Sequence, residues 1–146
     1  MTHATADTVL ALRDAILAAL NTQPRLQVFD GNPDEPPNGP VRLDPDRRAG
    51  MYAVLYMGIG TPDDYDRTVC GDAGKLAATW QVTAAGGDSN RALRAALKVR
   101  AALTDQHLIP AAGVCTEVLD QVNARTDGGP KPERWMVPMI YRADLP

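Results

Sequence analysis

WQVTAAGGDSNRALRAALKVRAAL, residues 80–103, is the stretch on which the fold turns. Together with the residues just before it, Leu76, Ala78, Trp80 and Val82 fall on one face and Thr79, Gln81 and Thr83 on the other. That alternation has the period of a half-buried strand. Gly86-Gly87 then permits a sharp turn. Asp88 or Ser89 is placed to cap a helix that runs to about Thr104. Its predicted buried side holds Ala92, Leu93, Ala96, Leu97, Val99 and Leu103. No chemistry is visible in the unit. The residue two after Ser89 is Arg91, not the second Gly of a nucleophile elbow, so Ser89 reads as a cap.

Upstream, residues 7–20 read as a first helix, capped by Asp7 or Thr8. Val9, Leu12, Ile16 and Leu20 recur at helical spacing, and Leu10 and Leu17 widen the stripe. Ala11, Ala15, Ala18 and Ala19 fill the opposite side, which leaves almost no polar face. Such a helix is either buried on a second side by another subunit or alanine-rich and half exposed. Pro24 ends it, and RLQVF (25–29) is a short strand. Prolines and glycines forbid a regular element over residues 30–50, either an arm that reaches a neighbour or a surface loop. MYAVLYM (51–57) is apolar on both faces, as in a strand covered on both sides or covered on one side by a partner. A second long loop follows at 58–75.

After the second helix come two further strands, 114–123 and 133–141, separated by a Gly-Gly-Pro hinge at 128–130. Pro138 puts the last strand at an edge or a bulge. The expected fold is α+β: a mostly antiparallel sheet of four or five strands, two main helices on one face, and long Pro/Gly-rich loops. One domain over residues 1–146 suits the length, and a chain of this size buries roughly 68–70% of its unfolded surface.

Formal charge is −3, which weighs against an extended nucleic-acid footprint. No run of 18 apolar residues is present, so no membrane span is expected. An acidic residue stands near the N-terminus where a secretory leader needs positive charge. Cys70 and Cys115 are read as free thiols, with no metal spacing. Asp63, Asp64 and Asp66 lack the calcium-loop pattern and its distal Glu, and Gly58-Ile59-Gly60 is followed by no phosphate-binding Lys or helix. No cofactor, metal or catalytic residue is expected.

Arg91, Arg94 and Lys98 form a small basic strip on one helix face. It is either a solvated face or a contact to a partner or to passing DNA, the latter independent of sequence and weakened by salt. Arg13 and Arg100 fall within the apolar stripes of their helices. Each must snorkel, pair with a carboxylate or lie at an interface. Snorkelling is expected for Arg100, near a helix end, and a subunit contact for Arg13.

Four features give the chain a family resemblance: DTVLALRDAILAAL leading into a strand that ends in FDGNP; MYAVLYMGIG after a proline-rich loop; the 80–103 unit; and a closing hairpin ending in RWMVPMIYRADLP. In this arrangement the chain resembles the tail terminator (tail completion) proteins of long-tailed bacteriophages. The resemblance implies a structural virion protein and no enzyme. It implies a hexameric ring on the head-proximal end of the tail tube, assembled in the host cytoplasm, that stops tube polymerisation. Its partners are then other copies of itself, the tube protein, the head-completion proteins, and DNA crossing the lumen without sequence-specific contacts. A ring contact joins two different faces of one subunit. The expected pair is the alanine side of the first helix, with Arg13, Ala15 and Ala18, against Pro36 and Pro37 of the neighbour's loop. A head-closure or connector protein of the same neck is the nearest alternative. A small ligand-binding or enzymatic α+β domain is the alternative of a different class, with His107, Asp105, Cys115 and Glu117 as its nominated cluster.

Overall fold

Leu76–Gly86 forms the long strand β4, and Ser89–Leu103 the helix α2 that follows it. The architecture comes from a computed structural model, which describes residues 6–33, 39–58, 61–62, 76–118, 123–127 and 133–145. The remaining elements are α1 (Ala6–Asn21), β1 (Gln27–Asp30), β2 (Tyr52–Met57), β3 (Thr61–Pro62), β5 (Thr116–Glu117), β6 (Arg125–Asp127) and β7 (Arg134–Leu145). The fold is α+β. Five strands run in the order β1-β2-β4-β7-β5, with β3 added to β4 and β6 to β7. All pairs are antiparallel except β1 with β2.

Both helices cover one face of the sheet. α1 buries Leu12, Ile16 and Leu20; α2 buries Ala92, Ala95, Ala96, Val99 and Leu103. They meet Leu55, Trp80, Val82, Met139, Tyr141 and Leu145 in one core. Burying each large aliphatic side chain contributes about 1.5–3 kcal/mol. Alanines at 92, 95 and 96 bring α2 close to the sheet. The buried arc therefore centres on these alanines, and Leu93 and Leu97, expected inside, are 47% and 60% exposed. Trp80 stacks on Tyr141 with ring centroids 6.2 Å apart and is a core anchor.

Asp88 caps α2: its Oδ1 accepts from the Arg91 N–H at 2.8 Å. Ser89 is the first helical residue rather than the cap. In the first helix Asp7 and Thr8 lie inside the element, since it already begins at Ala6. Of the predicted 114–123 strand, Thr116–Glu117 form the short β5, residues 119–122 lie outside the described residues, and β6 pairs with β7 further along the same edge. β7 extends to Leu145 and is interior on its β4 side, where Pro138 pairs with Thr83. On its other side β6 pairs as far as Met136 and β5 from Tyr141. Pro138 falls in the interval between them, where its missing N–H leaves no gap in either described ladder.

Tyr52, Ala53, Val54 and Leu55 of β2 are all buried. Helices cover one face, and the second cover comes from this chain itself. Residues 39–50 fold back as a strap. Its Val41 and Ala49 close a second cluster with Phe29, Tyr52, Val54 and Ala85. Gln27 holds the strap beside β1: its Nε2 donates to the Pro40 carbonyl and its Oε1 accepts from the Arg42 N–H. The described part of the predicted arm thus packs on its own chain. Pro36 and Pro37 lie outside the described residues, as do Cys70 and most of the 58–75 loop.

Candidate interaction surface

Arg91 meets three carboxylates. Its Nε lies 2.9 Å from Asp44, its Nη2 2.7 Å from Asp46 and its Nη1 2.8 Å from Asp88. Asp44 and Asp46 belong to the strap, so Arg91 pins the strap to the first turn of α2. These bonds hold the guanidinium pKa above its usual range, the Asp46 hydrogen bond foremost, and hold the Asp46 carboxyl below its own. The Gly86-Gly87 corner completes the junction. The Gly87 N–H donates to the Ala49 carbonyl at 2.8 Å. A Cβ on Gly87 would stand 2.6 Å from the Arg48 Cβ and 2.8 Å from the Ala49 nitrogen. A Cβ on Gly86 would collide with the Arg91 Cβ.

The predicted basic strip is therefore divided. Arg91 serves the strap, Arg94 is exposed, and Lys98 is half-buried. Arg13 pairs with Asp14 at 3.1 Å and reaches Asp30 of β1 at 4.0 Å. Arg100 does not simply snorkel: it makes a bidentate pair with Glu117, Nε to Oε2 and Nη2 to Oε1, each 2.9 Å. Helix periodicity contains no signal for Glu117, which arrives from β5. On α1, Ala18 is exposed, Ala15 half-buried, and Leu10 45% exposed.

The sheet face away from the helices carries a groove of about 760 Å³. Tyr52, Val54, Tyr56, Gln81, Thr83 and Arg134 line it. The Arg134 guanidinium sits 5.8 Å over the Tyr52 ring, a cation–π contact. Tyr56, Gln81 and Ile140 form one row across β2, β4 and β7, and Tyr56 is 49% and Ile140 42% exposed. Exposed apolar side chains thus occur on both layers.

The nominated catalytic cluster is engaged in structural contacts. The Asp105 N–H donates to the Cys115 carbonyl, the Cys115 N–H to Gln106, and the His107 Nδ1 lies 3.2 Å from the Ala112 carbonyl. Burial, aided by Asp105, pushes the Cys115 thiol up to about 12, away from the thiolate a nucleophile needs. Burial likewise pushes the Tyr141 phenol up to about 12. No three His, Cys, Asp or Glu side chains of the described residues converge as a metal set, and no helix there is long and apolar enough to cross a membrane. No protein-family model matches the chain, and no curated protein matches it in sequence.

Proposed function

We propose that this chain is a structural protein of a phage virion, a tail terminator. It forms a ring, in our reading a hexamer, on the head-proximal end of the tail tube. There it stops tube polymerisation and presents a surface to the head-completion proteins, and DNA passes through its lumen. The observation that supports this most is the pair of unlike apolar surfaces on one small subunit. Leu10, Leu93 and Leu97 are exposed on the helical layer, and Tyr56 and Ile140 on the open sheet face. A ring closes through heterologous contacts, in which one face meets a different face of the neighbour. The resemblance in element order and closing hairpin supplies the tail context.

Native mass spectrometry over a range of concentrations tests the assembly. The expected result is a discrete ring that Ala18→Glu, an exposed site on a helix that keeps its buried stripe, disperses into folded monomers. Adding the purified ring to polymerising tube subunits tests the terminator role: tubes shorten and carry a cap at one end. A protein that is monomeric throughout and leaves tube length unchanged refutes the reading.

A further inference from the structure

One end of the sheet gathers arginines. Arg25 lies in the α1–β1 turn, Arg42, Arg47 and Arg48 on the strap, and Arg91 and Arg94 on α2. Over residues 22–27, 39–50 and 88–94 these six arginines meet three aspartates, Asp44, Asp46 and Asp88. Arg91 answers all three. A groove of about 470 Å³ opens between Arg25, Arg42, Arg91 and Arg94, with Gln27, Asp44 and Met51 in its walls. Asp44 is the one carboxylate among the described lining residues, and Arg91 already holds it at 2.9 Å. Arg25, Arg42 and Arg94 are exposed and make no ion pair among the described residues.

Three guanidinium groups from three separate elements thus line one space, and their backbones are held in place. The Arg42 N–H donates to Gln27 Oε1 at 2.9 Å, and the Arg42 carbonyl accepts from the Gly50 N–H at 2.9 Å. Arg94 stands in α2, about one turn beyond the strap-bound Arg91. A ligand orders side chains only, which lowers the entropic cost of binding. Such a set suits a phosphate group better than a carboxylate. A phosphate monoester carries about −1.5 to −2 charge and three acceptor oxygens, so it takes donors from several directions. A carboxylate offers two oxygens in one plane and is satisfied by a single fork, as Glu117 is by Arg100. The groove's volume falls within the range of small-ligand clefts, about 300–1,000 Å³. The described lining has no aromatic ring on which a base could stack, and both ends of the Gln27 amide are engaged by the strap. Recognition here is by charge and by the shape of the oxyanion. The chain's charge of −3 weighs against an extended polyanion footprint, not against a local site of three guanidiniums.

We infer that the Arg25–Arg42–Arg94 groove is a phosphate-binding site. Its ligand is a phosphate oxyanion, met either on a free phosphate compound or on the backbone of a nucleic acid, where binding would be independent of sequence. Arg25, Arg42 and Arg94 contact the phosphate oxygens. Arg91, spent on the strap, is a positioning residue: it holds down the wall that carries Arg42. The site is complete within one subunit and rests neither on ring assembly nor on a place in a tail.

The test uses the full chain and two probes: pyrophosphate in isothermal titration calorimetry, and short labelled DNA duplexes of two unrelated sequences in fluorescence anisotropy. Arg42→Gln/Arg94→Gln removes two of the charges, and because both side chains are exposed and unpaired, Tm should not change. The double variant should bind at least about tenfold more weakly whichever probe the unaltered chain takes. Arg13→Gln, outside the groove's lining, should bind as the unaltered chain does. The tighter probe names the source of the phosphate. Duplex binding should be equal for the two sequences, with a slope of log K against log salt of about −2.7 for three neutralised phosphates, falling to about −0.9 in the double variant. Citrate, a carboxylate of comparable charge, should compete poorly. The inference is overturned if neither probe binds, if the folded double variant binds as tightly as the unaltered chain, or if Arg13→Gln weakens binding as much as the double variant does. It is overturned equally if citrate competes as well as pyrophosphate, which would leave a general anion surface. None of these readouts involves assembly or a tail tube, so they separate the site from the terminator role.

Discussion

Gly87→Ala should destabilise this protein, although the substitution usually does the reverse. Replacing Gly by Ala at an ordinary φ stabilises by about 0.4–1 kcal/mol, because the unfolded chain loses freedom. Gly87 has no left-handed φ to forbid the change. The obstacle is the strap: the new Cβ would lie 2.8 Å from the Ala49 nitrogen and 2.9 Å from the Ala49 oxygen. These are backbone atoms, so no rotamer change relieves the clash, and the strap must lift. Lifting breaks the Gly87–Ala49 hydrogen bond, about 1 kcal/mol. It also exposes Val41, now 7% exposed, at a cost of about 1.5–3 kcal/mol. The net loss is roughly 2–3 kcal/mol, or a fall in Tm of about 4–10 °C for a chain of this size. Thermal unfolding followed by circular dichroism measures the loss. Limited trypsinolysis localises it, because Arg42, Arg47 and Arg48 lie on the strap and should be cut sooner in the variant. Adding Arg48→Gly removes the side-chain contact but not those to Ala49, so it should not rescue. A Gly87→Ala protein with unchanged or raised Tm and an unchanged cleavage rate would refute the close-packed corner.

Arg91→Ala should free the strap through a different route, with faster cleavage at Arg47 and Arg48. The strap's acid sensitivity should change with it. Asp46 is held below its ordinary 3.8, chiefly by Arg91. Its contribution is therefore complete above that value and is lost as pH falls through the lower folded one. Cleavage of the unaltered chain by an acid-active protease should accelerate below pH 3.8, and Arg91→Ala should flatten that profile. Glu117→Gln keeps a hydrogen bond to Arg100 but removes the charge, and should cost about 1 kcal/mol in urea unfolding, a figure already reduced for the exposed guanidinium. At the alkaline end, Cys115 and Tyr141 have pKa values raised from 9.0 and 10.0 to about 12. A raised folded pKa means the unfolded chain loses its protons first. Their contribution is complete below about pH 9, declines as pH rises toward 12, and should give a steep alkaline limb. Cys115 should meanwhile resist a thiol reagent at neutral pH until the protein unfolds.

Periodicity made the central elements legible. β4 and α2 carry long, clean patterns of period two and 3.6, and both lie where the pattern puts them, β4 at Leu76–Gly86 and α2 at Ser89–Leu103. The doubly apolar run of β2 correctly announced cover on both faces. What supplies the second cover was not legible. The strap has neither period, and its anchors are single residues: Gln27, Gly87, and Arg91 with its aspartates. β6 escaped, and the bounds of β5 inside the expected 114–123 strand were missed, for a related reason. Strands of two and three residues hold no repeat to read and exist only because β7 offers them an edge. Leu93 and Leu97 were misplaced because a hydrophobic stripe marks which residues avoid water in general. Packing distance then selected the smaller alanines for the sheet.

Arg91 shows why a surface cannot be taken from a helical wheel alone. On the wheel it belongs with Arg94 and Lys98. In the fold its three carboxylate partners come from both sides of the strap junction, and its charge is spent inside the subunit. The basic surface instead assembles from Arg25, Arg42 and Arg94, which lie on a turn, a strap and a helix far apart in sequence. It exists only while the strap is docked, because Arg42 rides on the strap. The Gly86-Gly87 corner and the Arg91 hub therefore stand upstream of the groove: loosening either should undock Arg42 and cost stability together. Strap cleavage and melting distinguish the two effects. Gly87→Ala should lower Tm and speed cleavage at Arg42, whereas Leu12→Ala, on the buried face of α1 and outside the groove's lining, should lower Tm by cavity formation while native-state cleavage of the strap stays slow. A Leu12→Ala chain whose strap is cut as fast as that of Gly87→Ala, at temperatures where both remain folded, would show that strap docking tracks global stability and not the glycine corner.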